Sequence, residues 1–588
     1  MISNFNKYPT VNIEGPADAY IGGWEAIADR LNTDLQAVPG PAKSIVVECY
    51  QGVNDAEVLG ALTERLRPST TFRSADAFLP EAVIREMTQP DVTDDRIFGR
   101  LTELNMEDLI DPAKAETMKA EAASVSNGII LVYGPGASLI LSDPDVLVYA
   151  DMARWEIQLR MRRNEVPNLG IENREEHIEG KYKRGYFVDW RVCDRLKRRI
   201  LPRSKWVLDT NVKNRPGMIS GRMFFEGMKQ VVKRPFSVVP YFDAGPWGGQ
   251  WMRKTFGLSG DAPNYAWCFN CVPEENSLYL GFGGKRFETP AINLVLFKPE
   301  ALLGDYVRER FGDEFPIRFD FLDTMGGGNL SLQVHPLTGY IREHFGIHYT
   351  QDESYYLVEA GEGAQVYLGL KEGVDPGRMI SDLRAAERGD VPFDDTAHIR
   401  SWPARRHDHF LIPGGTVHCS GRECMVLEIS ATPYIFTFKL WDWGRLGMDG
   451  KPRPINIGHG IRNIQWNRTE KWVGPNLVNR IEPVAEGDGW IEERTGLHEL
   501  EFIETRRHRF TRTVHHHTGD GVNVLTLVEG REAAVESPCG AFEPFVVHYA
   551  ETFIVPAAVG IYTITPCGES EGMECITIKA TIRKTPIT

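Results

Sequence analysis

The chain reads as an N-terminal α/β domain built on a parallel sheet, followed by all-β domains, and three features of the sequence predict this. Its 588 residues exceed what one hydrophobic core usually covers, so several domains are expected. From Met1 to about Lys233, short apolar runs alternate with helical stretches, the order that builds parallel βαβ units. Beyond about Arg234 the pattern changes to short β runs punctuated by glycine and proline, with few helical periods.

Within residues 1–233, KSIVVECYQG reads as a strand and DAEVLGALTERL as the helix after it. SNGIILVYGPGA supplies another strand, DVLVYADMARWEIQLRMRRNE a strand feeding a helix, and KWVLDT a further strand. In outline this order resembles a P-loop kinase of the uridine-kinase type. The phosphate loop itself is missing: where GxxxxGK[ST] would cradle phosphates, the chain reads QGVNDAEVLG, and Asp55 and Glu57 would repel a triphosphate. Arg154, Arg160, Arg162 and Arg163 resemble an arginine-rich lid that binds an anion, the alternative being a solvated helix face. The resulting expectation is a degenerate kinase-like domain that binds neither metal nor ATP.

In residues 234–484 the most informative stretch is LSLQVHPLTGYIREHFGIHYTQDESYYLVEA. Gln333 and His335 alternate with Leu332 and Val334, so in a strand both polar side chains leave the same face. Pro336 ends that run, YIREHFGIHY suits a helical excursion, and ESYYLVEA resumes as a strand carrying Glu353. Downstream, HDHFLIPGGTVHCSGRECMVLEIS places Pro413, Gly415 and His418 at PxGxxH spacing, a tight turn feeding a strand. Two imidazoles, a carboxylate and an amide oxygen make a donor set suited to zinc, with ligand distances of roughly 2.0–2.2 Å. Taken singly, His335 would more often be a satisfied buried or surface histidine than a ligand, and Glu353 a solvated strand residue. The combination with PxGxxH sets them apart, since PxGxxH is the second half of the cupin metal signature and QVHP its altered first half.

FDFLDTMGGGNLSLQVHP, TQDESYYLVEA and FLIPGGTVH together resemble the class I mannose-6-phosphate isomerases, zinc enzymes of the cupin (double-stranded β-helix) fold. PYFDAGPWGGQ, from Pro240 to Gln250, resembles that family's early tryptophan–glycine-rich signature, and TFKLWDWGR its segment after the metal-binding strand, so the likeness runs from about Arg234 to the end. The resemblance implies a zinc ion held by Gln333, His335, Glu353 and His418, with aldose–ketose isomerisation of a sugar or sugar phosphate beside it. It also places a family arginine at Lys439, with Arg445 a nearby cation, as candidate catalytic residues. Two family lysines fall on Gln351 and near Asp320, a loss of charge that predicts weak handling of a phosphorylated substrate. The alternative reading is a noncatalytic metal-bearing cupin that binds carbohydrate or a protein partner.

Residues 485–588 repeat the β style, and FIVPAAVGIYTI resembles FLIPGGTVHCSG with Ile561 in place of His418. A second cupin without metal ligands is therefore expected. His515, His516 and His517 are consecutive, so strand alternation turns at most two together; an exposed strand end with no site is the expectation. Cys268 and Cys271 form a CxxC with no second pair at zinc spacing, which assigns them a structural role.

A net charge of -15 argues against a nucleic-acid partner. No apolar run approaches the ~18 residues of a membrane span. The first residues, MISNFNKYPTVNIEG, lack the basic start and apolar core of a secretory signal, and the nine cysteines read as reduced; both point to the cytoplasm. Oligomeric state is not legible in the sequence.

Overall fold

The computed structural model describes residues 3–431, 434–496 and 498–584. They form two units: Thr10–Val231 with Ser277–Phe297, and Met1–Pro9 with Val232–Asn276 and Lys298–Thr588.

The first unit is built on a seven-stranded sheet, in the order Ile21–Gly22, Gly217–Ser220, Trp206–Asp209, Val146–Asp151, Ala42–Cys49, Gly128–Gly134, Thr70–Arg73. The last five are mutually parallel, and the first two add antiparallel at one edge. Val146–Asp151 is buried along its whole length and Ala42–Cys49 from Ile45 onward, as strands covered on both faces must be. The helix Asp55–Leu66 starts where the Asn54 side chain accepts from the Glu57 amide, and it buries Val58, Leu62 and Leu66. A cavity of about 310 Å³ opens at the carboxyl ends of the parallel strands, lined among others by Gln51, Asp55, Arg73 and Asn168.

Two expectations for this region need correcting. Residues 277–297 were expected with the β region, but Ser277–Phe282 pairs in parallel with Thr10–Asn12 and antiparallel with Lys285–Pro290, placing them in the first unit. That hairpin closes through Gly283 and Gly284, both at positive φ (53° and 77°), as a tight two-residue turn requires. The arginines are not a free anion lid: Arg154 and Arg160 are buried and engaged, while Arg162 and Arg163 lie on the solvated face given as the alternative. Arg154 is buried and paired with Asp194, and Arg160 donates to the carbonyls of Gly52 (2.9 Å) and Thr210 (2.6 Å). Arg162 lies over the Trp155 ring, while Arg163 pairs with Glu156 and Glu165.

The second unit contains two pairs of antiparallel sheets. One pair joins a six-stranded sheet (His409–Ile412, Glu353–Ala360, Cys424–Ser430, Arg318–Asp323, Trp267–Cys271, Tyr241–Asp243) with a five-stranded one (Ile399–Pro403, Gln365–Leu370, His418–Ser420, Leu332–Val334, Phe438–Trp441). The other pair is Glu482–Gly487, Trp490–Arg494, Ile503–Phe510, Cys575–Ile582, Asn523–Glu529 and Thr552–Val555, with Val514–His517, Ile561–Pro566, Glu532–Glu536 and Phe545–His548. Residues from both of its sheets, among them Phe510, Leu525, Val535, Phe553 and Tyr562, make one buried core. The two pairs share a strand order: in each six-stranded sheet, the strand ending just before the PxGxxH-like segment sits at one edge beside the strand that carries position 353 or 523.

The expected boundary at 484/485 falls inside the strand Glu482–Gly487, which pairs with Trp490–Arg494. Helical content in 234–484 also exceeds expectation. Pro376–Arg388, capped by Asp375, is a full helix inserted between two strands, and Thr338–Phe345 is the helical excursion read from YIREHFGIHY.

Candidate metal centre

Gln333 and His418 face each other across paired strands of the five-stranded sheet, and Glu353 begins a strand of the six-stranded one. The set is therefore assembled between two sheets. The PxGxxH turn is fixed by the Gly415 amide donating to the His335 carbonyl (2.9 Å) and the Gly414 amide to Asp352 Oδ1 (2.7 Å). Arg468 donates to the carbonyls of Pro413 and Gly414, both at 2.8 Å.

One ligand-type atom from each of His335, Glu353 and His418 lies within 4.8 Å of the other two, and all three residues are buried. Glu353 Oε1 is 2.8 Å from His418 Nε2, and Oε2 is 3.1 Å from His335 Nε2. Behind each ring Nδ1 faces a backbone carbonyl, Phe436 for His335 and Thr416 for His418, both at 2.8 Å. That pairing puts the proton on Nδ1 and leaves the Nε2 lone pair facing Glu353, the tautomer a metal ligand needs. His335 Nε2 and Glu353 Oε1 are buried without a well-formed hydrogen bond, as expected of atoms arranged around an ion. Gln333 Nε2 lies 3.3 Å from His418 Nε2, and turning the amide over would present its oxygen there. The residues present therefore fit a divalent metal with mixed nitrogen and oxygen donors.

Electrostatics favour the same arrangement. Burial opposes ionisation of Glu353, yet the His335 imidazole, and then His418, hold its carboxyl well below the usual range. At His335 burial is likewise outweighed by Glu353, which raises its pKa; at His418 burial dominates and lowers it.

Of the remaining expected residues, Lys439 stands directly across the strand pair from Gln333, so their side chains leave the same face. Arg445 donates to Asp442 (2.6 Å) and to the carbonyl of Asn329. Gln351 is buried, its amide donating to Glu353 Oε2 (3.1 Å) and accepting from the Phe436 amide (2.9 Å), so it braces the carboxylate. Asp320 pairs with Arg318 at 3.2 Å, so a cation stands two residues away on the same strand. Sequence reasoning missed Arg318, Tyr355 and Glu428. They share the inward face with Asp320 and Glu353, since Asp320 opposes Glu428 and Tyr355 opposes Glu428 in register. The signal was available in CMVLEIS, where a glutamate interrupts an apolar run. Burial pushes Asp320 up to about 6 despite Arg318, and pushes Glu428 well above the carboxylate range.

Residues 23–233 match a family described as a domain of unknown function (DUF8485). The chain is similar to mannose-6-phosphate isomerase of Streptococcus mutans, 27% identical over 227 residues, which is 37% of this chain and 63% of that protein. It is similar as well to the mannose-6-phosphate isomerase ManA of Bacillus subtilis, 29% identical over 158 residues, 26% of this chain and 45% of the relative. The chain thus spans less than two thirds of the length of these curated relatives. Among solved structures, mannose 6-phosphate isomerase from Bacillus subtilis aligns with 59% of this chain and 99% of its own, at 19% identity and a TM-score of 0.46. A phosphomannose isomerase variant from Salmonella typhimurium aligns with 59% and 99% at 13% identity and a TM-score of 0.44.

Proposed function

We propose that this chain is a zinc-dependent aldose–ketose isomerase acting on a sugar or sugar phosphate. The observation that carries the reading is the buried triad of His335, Glu353 and His418, on the segments that resemble mannose-6-phosphate isomerases. With Gln333 they would hold the ion, which would supply Lewis-acid stabilisation of negative charge on a sugar oxygen. Lys439 is assigned to the substrate face beside Gln333, where an ammonium group offsets negative charge on a substrate oxygen or phosphate. Arg445, with its guanidinium committed to Asp442 and Asn329, is assigned to holding that wall in place rather than to touching substrate.

The N-terminal unit is proposed as a degenerate kinase-like module. Where a phosphate loop would aim amides at a nucleotide, the Gly52 carbonyl is held by Arg160 and the helix start is capped by Asn54 beside Asp55. A cytoplasmic setting fits nine free cysteines. Among the described residues no helix is long and apolar enough to cross a membrane.

The test is to incubate purified, zinc-loaded protein with mannose, fructose and their 6-phosphates and follow interconversion by NMR. Turnover that disappears on chelation and in His335→Ala supports the proposal. Full zinc occupancy with no interconversion of any of these sugars would overturn it.

A further inference from the structure

The second sheet pair has its own polar interior, and its charge is inverted relative to the first. Register makes the comparison direct. Glu353 opposes Ile412 in the first pair, and Asn523 opposes Val555 in the second, one residue before Pro413 and Pro556 respectively. Moving inward from these positions, Tyr355 opposes Glu428 where Leu525 opposes Lys579, and Asp320 opposes Glu428 where Arg506 opposes Lys579. Arg318 corresponds to Glu504, since they oppose Ser430 and Thr581 two residues further along. Asn523, standing in place of Glu353, accepts from the Tyr562 hydroxyl at 2.9 Å.

Around Lys579 lies a group of buried polar atoms without partners. Lys579 is 8% exposed and has no hydrogen bond or ion pair among the described residues. His516 is 5% exposed, and neither of its ring nitrogens has a hydrogen-bond partner; the same holds for His508 Nδ1 and for the hydroxyl of Thr577, which is fully buried. These groups are neighbours. His508 opposes Thr577 across the sheet, the His508 and His516 rings are 4.5 Å apart, and His516 stacks on Tyr562 at 4.9 Å. Strand alternation thus turns His516 inward, contrary to the expected exposed strand end, while His515 and His517 remain exposed.

The nearby charges do not cancel. Glu492 and Glu504 are taken up by Arg506 at 2.7 Å each, Arg494 adds a second guanidinium 3.7 Å from Glu504, and Lys579 is left over as a third cation. Glu492 also stands 3.3 Å from His508 Nε2. Burial pushes the Lys579 ammonium down to about 8, and His508 down to about 4. Lys579, felt by Glu492 and Glu504 but bonded to neither, stands beside the unpartnered Thr577 hydroxyl and the one N–H of the neutral His516 ring, a setting that suits an acceptor-rich, negatively charged guest.

We infer that the second sheet pair holds a binding site for a small oxyanion, a phosphate or carboxylate group, made by Lys579, Thr577 and His516, with His508 held by Glu492 against the His516 ring. This site is independent of the metal centre and of the isomerase reading, because none of its residues belongs to the first pair of sheets. A phosphate group offers three acceptor oxygens to one ammonium, one hydroxyl and the single N–H of the neutral His516 ring; a carboxylate offers two.

The experiment is calorimetric titration of the full chain with inorganic phosphate, and in a parallel arm with acetate and citrate. It is run on the unaltered protein and on Lys439→Ala, which removes the cation of the metal-centre face. Binding of either anion class that persists in Lys439→Ala is expected, and the better class identifies the source. Lys579→Met should weaken it roughly tenfold to hundredfold, the span a charge-assisted hydrogen bond carries, and should raise Tm without ligand because the unpaired charge is gone. Should Lys579→Met fail to fold, Thr577→Val decides, with weaker binding expected. No binding of any of the three anions, or equal affinity in the folded Lys579 or Thr577 variant, would overturn the assignment.

Discussion

At the scale of single residues, the candidate centre depends on groups whose second atoms are already committed. His335 and His418 each face a carbonyl behind the ring, and Gln351 braces Glu353, so the ligand atoms are oriented before any ion arrives. His335→Ala or His418→Ala should therefore reduce bound zinc from stoichiometric to trace, read by elemental analysis of dialysed protein. Full metal content in both variants would exclude this site. His409 supplies a different test. It is fully buried, neither ring nitrogen has a hydrogen-bond partner, and burial, aided by Arg507, holds its pKa down at about 3. In the unfolded chain it takes up a proton near the ordinary value of 6.5, so between these limits the unfolded state binds more protons. Stability contributed by the neutral ring is complete above about pH 6.5 and declines as pH falls toward 3, by up to ~1.4 kcal/mol per unit. His409→Phe should flatten the fall of Tm with acidification by about one proton's worth. An unchanged slope would show that His409 does not titrate in this way.

At the scale of elements, the decisive piece is the turn between the strands His409–Ile412 and His418–Ser420. Gly415 has φ at 88°, and a Cβ there would meet Gln465, the Asn463 carbonyl and Leu337 at 2.8–2.9 Å. The same residue's amide holds the His335 carbonyl, so the turn joins the two histidine-bearing strands. Gly415→Ala should cost about 1–3 kcal/mol in stability, and it should weaken zinc binding although no ligand is changed. Chelator competition on the folded variant measures the second effect; native zinc affinity with a lowered Tm would confine the glycine to a folding role.

For the molecule as a whole, the two units lead to different expectations for ligands. The α/β unit has a cavity at its strand ends, but its loop after the first parallel strand offers a carbonyl to Arg160 and an acidic helix start. ATP with magnesium should accordingly leave the Tm of the full chain unchanged, whereas zinc added to stripped protein should raise it, as any ligand specific to the native state does. A clear upward shift with ATP would restore the nucleotide reading. Under the proposed isomerase reading, the only cation beside Asp320 in its strand, Arg318, is neutralised by that carboxylate, and Gln351 is uncharged. Mannose 6-phosphate is expected to turn over with kcat/KM below ~10⁴ M⁻¹s⁻¹, the lower edge of ordinary enzyme efficiency; a higher value would place the phosphate on Lys439 or another cation.

Much of this was legible in the chain. Period-two alternation in LSLQVHP, the PxGxxH turn and the switch from helical to β periodicity follow from neighbours a few residues apart, which is the range over which backbone geometry imposes its pattern. Those signals point to Gln333, His335 and His418, the resemblance of TQDESYYLVEA adds Glu353, and the folded chain brings His335, Glu353 and His418 together. What they could not reveal was cross-strand partnership. That Gln351 braces a carboxylate, that Glu428 and Tyr355 share its face, and that residues 277–297 leave the β region to pair with Thr10–Asn12 depend on register between distant segments. Equally, His516 looked like one of three interchangeable histidines until pairing with Ile561–Pro566 turned it inward. A one-residue change of register reverses which side chains face the core, so only the folded sheets decide which buried charges meet a partner and which, like Lys579, do not.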